Sequence, residues 1–556
     1  MSLVNEILTP ISLWRDFDCS LPLKEVKTNR ISYDGIEYCD VFFSGREVGA
    51  GNRVRIFANF VKPENNFNGC GILLIPDLGD VSYVELINHY AKLGYAVLLV
   101  DYEGEKANKK DYTVYPQEIA YANFSQSGNT YYSAENGADK TCWYEWVAVC
   151  KYALKYFEVE GIKKVGVFGI KNGSEIGWQV CSNDENVSCF IGAFGAGWLA
   201  YKGLNKYGDK DLVLNNERYR FIAGVEAQSY AQYIKCPVLF LTATNSKEYD
   251  VDREMDTLCR ITGRNVYLCV STGYREKLCK NSFLTTAAFF NKFLSKKTAF
   301  MPSVPEITVS QNKSNLKIKT YFGKESPESF DIYISEGGNE PSQRCWTRIA
   351  CADCNDEDNE YENNYYLHGG NCYVFYLVTA KYKNGMILSS MIGNKNILND
   401  VNEINHLIYS SSRSDCGLFT PADCKNTLGG LFVSVGDIEQ QTGPMDIKGI
   451  CTDLGLFTFN IGGKFYPIKE DSLLKFDIYN QSFETLTVTL LSSNQEIGAY
   501  EMTIALQCAN EWKNFILDFK DFKSKDNFPL KNFDEIYAMK LKADGKFLIN
   551  NIILIN

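Results

Sequence analysis

Hydrophobic residues follow two rhythms along this chain, and the change of rhythm divides it. Up to about residue 296, short continuous apolar runs alternate with helical periodicity. Gly71–Pro76, Tyr95–Asp101, Val165–Phe168, Val187–Phe194, Pro237–Thr242 and Asn265–Ser271 read as buried strands. Val81–Leu93, with Val84, Ile87 and Ala91 on one stripe, reads as a helix, as do Thr141–Phe157 and Phe283–Leu294. Ahead of these, Ile36–Ser44 and Arg53–Val61 flank Gly49-Ala50-Gly51 as a hairpin. Residues 1–30 read as an irregular lead-in from which Trp14 and Phe17 can dock. Alternation of helices with continuously apolar strands predicts a parallel sheet covered on both faces.

Lys296, Lys297, Pro302 and Pro305 then mark a linker, after which the period becomes two. Leu316, Ile318 and Thr320 alternate with lysines, and Phe330–Ser335 and Cys372–Tyr382 follow as further strands. From about Leu398 the pattern is again all-β: Leu474, Phe476 and Ile478 face one way, and Leu486, Val488 and Leu490 repeat the alternation. The predicted architecture is multidomain, α/β plus all-β, divided at 1–298, 303–397 and 398–556. The middle block resembles an immunoglobulin-like or fibronectin-like sandwich. In the last block, Glu511–Phe519 and Phe547–Ile555 resemble the late strands of a galactose-binding-like jelly roll, a fold of many carbohydrate-binding modules. That resemblance implies a sugar-stacking surface, for which Tyr479, Tyr500 and Trp512 are the candidates. The competing expectation places Trp512 in the core, because it begins an alternating run with Phe515, Leu517 and Phe519.

Composition narrows the function. A net charge of −11 argues against nucleic acid and anionic membrane surfaces as partners. No apolar run approaches the ~20 residues that span a bilayer. The first ten residues carry no basic stretch followed by an apolar core, and the 19 cysteines are scattered, many inside apolar strands. Together these lead us to expect reduced thiols and a cytoplasmic location. The motif Cys351-Ala-Asp-Cys354 has no second pair, and the acidic run from Asp353 to Glu360 lacks the turn glycine of a calcium loop, so no metal is expected. No Walker loop, dinucleotide fingerprint or HExxH motif is present, so no cofactor is expected.

The candidate chemistry sits at Gly169-Ile170-Lys171-Asn172-Gly173, where an apolar strand meets a helix. This resembles the nucleophile elbow G-x-S-x-G of the α/β-hydrolases, with lysine where the serine belongs. With the turn Asp101-Tyr102-Glu103-Gly104 and Trp143-Tyr-Glu-Trp146, it resembles in particular the acetyl xylan esterases and cephalosporin deacetylases. The resemblance implies a serine–histidine–acid triad, with its acid after Pro237–Thr242 and its histidine late in the domain. Here the acid position reads Ser246, with Glu248 and Asp250 nearby, and the histidine position reads Tyr274 or Arg275. The chain has three histidines, and the one in this region, His89, precedes the elbow on what reads as a solvated face with Glu85 and Lys92.

No triad can be assembled, so the expectation is a non-catalytic protein that binds a saccharide or small anionic ligand. The alternatives are a carbohydrate esterase with a non-standard site and a scaffold without ligand. Two roles for Lys171 follow. The amides of Leu78 and Asn172 would form the oxyanion hole, and a lysine added to them suits an anion. Or Lys171 pairs with Asp77, Asp80 or Glu248 and plugs the hole.

Overall fold

The computed structural model describes residues 7–556, apart from 50, 80–81, 108, 264, 298–300, 354–358, 368–371, 399–405, 412–418, 424–425, 429, 435–437, 464–465, 483 and 507–508; for 350–353, 426–428, 434, 484 and 509–510 it describes the backbone alone. The first region is a nine-stranded sheet: β1 (Val26–Tyr33), β2 (Ile36–Val48), β3 (Asn52–Pro63), β4 (Cys70–Ile75), β5 (Ala96–Asp101), β6 (Lys164–Ile170), β7 (Val187–Ala193), β8 (Val238–Ala243) and β9 (Val266–Ser271). Their order is β1-β2-β3-β5-β4-β6-β7-β8-β9. The first three strands pair antiparallel and β3 meets β5 antiparallel; from β5 to β9 every pair is parallel. Continuous apolar runs become strands buried on both faces, as β4 and β8 are throughout.

Helices cover both faces. After α1 (Pro10–Trp14), α2 (Val84–Lys92) lies on one side of the sheet, and α3 (Cys142–Val159) and α4 (Asn172–Ser182) lie on the other. Then come α5 (Asn216–Gly224), α6 (Ala227–Tyr230), α7 (Val251–Leu258) and α8 (Lys280–Phe293), the last joining α2 over the same core.

Three expectations need correction here. The lead-in holds β1, whose residues are mostly exposed and so carry no alternation, and α1, whose Trp14 stacks on Tyr144 at 4.8 Å. On α2 the helix begins at Val84, which is exposed; the buried stripe is Leu86, Ile87, Tyr90 and Ala91. His89 is half-buried against Phe283, 4.3 Å between ring centres, and burial pulls its pKa down, so it does not share a solvated face.

Beyond the linker, two all-β blocks follow. In the first, a three-stranded sheet built from Glu306–Asn312, Asn315–Tyr321 and Glu360–Tyr366 shares a core with a five-stranded sheet centred on Ser329–Glu336 and Cys372–Lys381. In the second, two six-stranded sheets enclose one core, with Leu474, Phe476 and Ile478 from one sheet facing Leu486, Val488 and Leu490 from the other. The α/β and all-β division is thus present. The blocks are tied together: Leu278–Cys279, just before α8, pairs in parallel with Phe432–Val433 of the last block. Phe432 is buried in the core of the first region, 5.1 Å from Phe283.

Candidate functional site

At the end of β6 the chain turns into α4 through Lys171, whose backbone lies at φ +51°, ψ −110°. A non-glycine residue at positive φ costs of order 1–3 kcal/mol, and close packing holds it there. A Cβ on Gly169 would overlap the Gly173 carbonyl, and one on Gly173 would overlap the carbonyl of Ile75 in β4. The two glycines are therefore needed for strand, turn and helix to approach one another this closely.

The turn directs the Asn172 amide toward the end of β4, where the chain continues as Pro76-Asp77-Leu78-Gly79. Both amides expected to form an oxyanion hole meet one acceptor. The Asp77 Oδ1 atom accepts from Leu78 N at 2.9 Å, from the Asn172 side-chain amide at 2.8 Å and, at longer range, from Asn172 N at 3.4 Å. The other carboxylate oxygen, Oδ2, lies 3.4 Å from Lys171 Nζ. Tyr131 covers the assembly by donating its hydroxyl to Asn172 Oδ1 at 2.7 Å, and it is held from behind by stacking on Trp143. The chain's own carboxylate occupies the place that an anion would take at Leu78, Asn172 and Lys171. Of the three carboxylates considered for Lys171, Asp80 lies outside the described residues and Glu248 is exposed.

Buried carboxyls brace the adjoining loop. Glu175, on the first turn of α4, accepts the Gly197 amide with both oxygens at 2.9 and 2.8 Å. Glu254 on α7 accepts Gly195 N at 3.1 Å and the Thr242 hydroxyl at 2.6 Å. Glu226 accepts the amides of Trp198 and Ala200. Burial pushes Glu175 and Glu254 up to about 8 despite these donors, and raises Glu226 as well. Ser174 is fully buried and donates to the Gly195 carbonyl at 2.8 Å, which leaves it no nucleophilic role.

The positions matching acid and histidine lie on neighbouring loops that are engaged elsewhere. Ser246 is buried, its hydroxyl accepting the Tyr249 amide at 3.0 Å. Asp250 caps α7, accepting from Asp252 N and Arg253 N. Asn245, before them, donates to the carbonyl of Arg344 at 2.8 Å in the middle block. That arginine, fully buried, makes a two-pronged pair with Asp252 at 2.8 and 2.5 Å and lies over the Phe375 ring. On the loop after β9, Tyr274 gives its carbonyl to Asn245 N at 2.9 Å, and the Arg275 guanidinium lies 4.5 Å from the ring centre of Phe457 in the last block. Sequence reasoning missed Arg344 and Asp252 because 92 residues separate them. A buried arginine in a β-rich stretch leaves no local signal.

The three aromatic candidates of the last block do not share a face. Tyr500 is buried in the core between the two sheets. Tyr479 is buried on the opposite sheet beside Trp512, whose indole N–H donates to the Pro444 carbonyl at 3.1 Å. Tyr479 and Tyr500 are thus buried by packing, and Trp512 is partly buried.

The described cysteines are free thiols, and among the described residues no group of His, Cys, Asp and Glu is placed to hold a metal. Cys354 and His368 lie outside the described residues, as does most of the acidic run. No described helix is long and apolar enough to cross a membrane.

No family model matches the sequence, and neither does any curated protein. Among solved structures, the chain is similar to an acetyl xylan esterase from Paenibacillus sp. R4, at 14% identity over 53% of this chain and 97% of that one, with a TM-score of 0.39. It is similar to acetyl xylan esterase 1 from Thermoanaerobacterium sp. JW/SL YS485 at 15% identity over 50% and 89%, TM-score 0.37. A third is the Pyrococcus furiosus esterase Pf2001, at 16% identity over 49% and 100%, TM-score 0.32. At these scores the likeness to esterases covers about half of the chain and bears on neither its chemistry nor its ligand.

Proposed function

We propose that the chain is a non-catalytic protein on an esterase-like scaffold, with its elbow sealed and its ligand, a saccharide or an anion, bound elsewhere. One observation carries the reading: Asp77 Oδ1 accepts both amides that would stabilise an oxyanion, while Oδ2 faces the Lys171 cation. An ester carbonyl needs those donors unengaged, and a fixed carboxylate repels the charge that develops in the transition state. The nucleophile, acid and histidine positions hold Lys171, Ser246 and Tyr274 or Arg275, none of them the residue type that a serine–histidine–acid triad uses in that place.

A second reading, a carbohydrate esterase with an unorthodox site, is favoured by the torsions that Lys171 retains. It is also the activity in the titles of the solved structures above, although the likeness does not argue for it.

A thermal-shift screen of acetate, sulfate and galacturonate separates the readings at the elbow. Wild type should give no shift that depends on Lys171. Asp77→Ala, which frees two amides and a cation, should gain one; at ~100 times Kd the ligand adds about 2.7 kcal/mol. A wild-type shift abolished by Lys171→Met would show the elbow to be an open anion site and overturn the sealed reading.

A further inference from the structure

The loop that leaves β9 does more than dock. Together with the middle and last blocks it encloses a cleft of about 1580 Å³, larger than the roughly 300–1,000 Å³ of a single small-molecule site. Each block supplies a wall: Thr272 to Lys280 from the first region, Asp331, Tyr333 and Thr379 from the second, and Thr420, Phe457 and Glu501 from the third. The cleft exists because the three are locked together by Phe432 in the first core and by the Arg344–Asp252 pair.

Its charge differs from that of the whole molecule. The chain carries −11, yet the lining holds five cations against three carboxylates: Arg275, Lys277, Lys280, Arg348 and Lys540 against Asp331, Asp423 and Glu501. Two cations are used within the walls, Arg348 with Asp331 at 3.5 Å and Lys540 with Asp423 at 3.4 Å. Glu501 accepts the Thr489 hydroxyl, and Lys277 donates to the Gly430 carbonyl. Arg275 and Lys280 remain. One face of the Arg275 guanidinium rests on Phe457, and its Nη2 is buried without an acceptor among the described residues. Thr272 Oγ1, three residues away, is in the same condition. Arg275 and Thr272 thus border a large cleft with hydrogen-bonding capacity that the described residues leave unused, which a ligand that supplies acceptors would suit.

We propose that this cleft binds an oligosaccharide bearing carboxylates, with Arg275 anchoring one acid group and Thr272 a neighbouring oxygen. The size admits more than one ring. Polar lining residues such as Thr272, Asn281 and Thr420 suit a polyol, and the tyrosines Tyr274 and Tyr333 lie in the same wall. The cationic surplus selects the acid-bearing kind. The inference deepens the binding half of the function proposed above and does not depend on the elbow.

Titration calorimetry of the full chain with trigalacturonate, and with neutral xylotriose, tests it. Trigalacturonate should bind, more weakly as salt is raised, and at least tenfold more tightly than xylotriose. Arg275→Gln should weaken binding tenfold or more, and Lys280→Glu severalfold. Lys235→Ala, before the opposite end of β8, should bind as wild type does. Circular dichroism checks folding; should Arg275→Gln not fold, Lys280→Glu, at an exposed position, decides alone. Absence of heat up to 10 mM trigalacturonate, equal binding of the two sugars, or undiminished affinity in the folded variants would overturn the proposal. Ester turnover, by contrast, would break the sealed elbow and leave this inference standing.

Discussion

At the elbow the backbone is strained, φ +51° at Lys171, while the side chains around it make an internal ion pair. On the loop after β9, and on α7 beyond β8, the reverse holds. Ordinary backbone carries side chains that reach outward, Arg275 to Phe457 and Asp252 to Arg344. The difference follows from what each place is packed against. The elbow is wedged between β4 and α4, where Gly169 and Gly173 admit no Cβ, so its path is fixed by the sheet whatever residue stands at 171. The other two segments lie at the rim of the sheet, where their side chains are determined by the blocks that cover them. Packing of this kind fixes a backbone whatever side chain it carries.

The largest expected effect lies on the rim side. Asp252→Ala leaves the fully buried Arg344 without its carboxylate and should cost about 3–5 kcal/mol, read as a lower urea midpoint. A loss below 1 kcal/mol would mean that the middle block is not held through this pair. On the elbow side, Gly173→Ala forces a Cβ onto the Ile75 carbonyl and should cost about 1–3 kcal/mol by the same measurement. A neutral result would show that the turn relaxes, and with it the argument that packing fixes Lys171.

Titration sharpens the comparison. Burial raises Glu175 and Glu254 to about 8 in the folded chain, so the folded state holds protons that the unfolded state gives up near pH 4.5. Their contribution is therefore fully present below about pH 4.5 and is lost as pH rises toward 8. The melting temperature should fall from pH 5 to pH 8, and the fall should be shallower in Glu175→Gln, which imitates the protonated form. An unchanged slope in that variant would remove Glu175 from the account. The smallest effect belongs to Tyr131→Phe, which deletes one hydrogen bond to Asn172 and should cost about 0.5–1.5 kcal/mol.

Much of this was legible in the sequence, and the unread part has a common cause. Continuous apolar runs gave the parallel strands, and two glycines around Lys171 gave the elbow, because both are local signals. Strand β1 escaped since both its faces are largely exposed. His89 reads as solvated because its helix alone does not reveal α8, whose Phe283 covers it. Tyr479 and Tyr500 read as available, yet are buried, because alternation shows that a strand has two faces without saying what lies over each. Three carboxylates were candidates for Lys171, and only the fold brings Asp77 to it across 94 positions of chain, within 3.4 Å. The Arg344–Asp252 pair and the three-block cleft are likewise products of tertiary contact.

The central claim is that the elbow is sealed and does not hydrolyse esters. Hydrolysis of p-nitrophenyl acetate, followed beside a fluorophosphonate label, tests it most directly. Wild type should release p-nitrophenol no faster than Lys171→Ala and take up no label, and Lys171→Ser should remain inactive because Asp77, the carboxylate beside it, is already engaged by the amides of Leu78 and Asn172. Turnover by wild type well above that of Lys171→Ala, or labelling of a serine, would contradict the account.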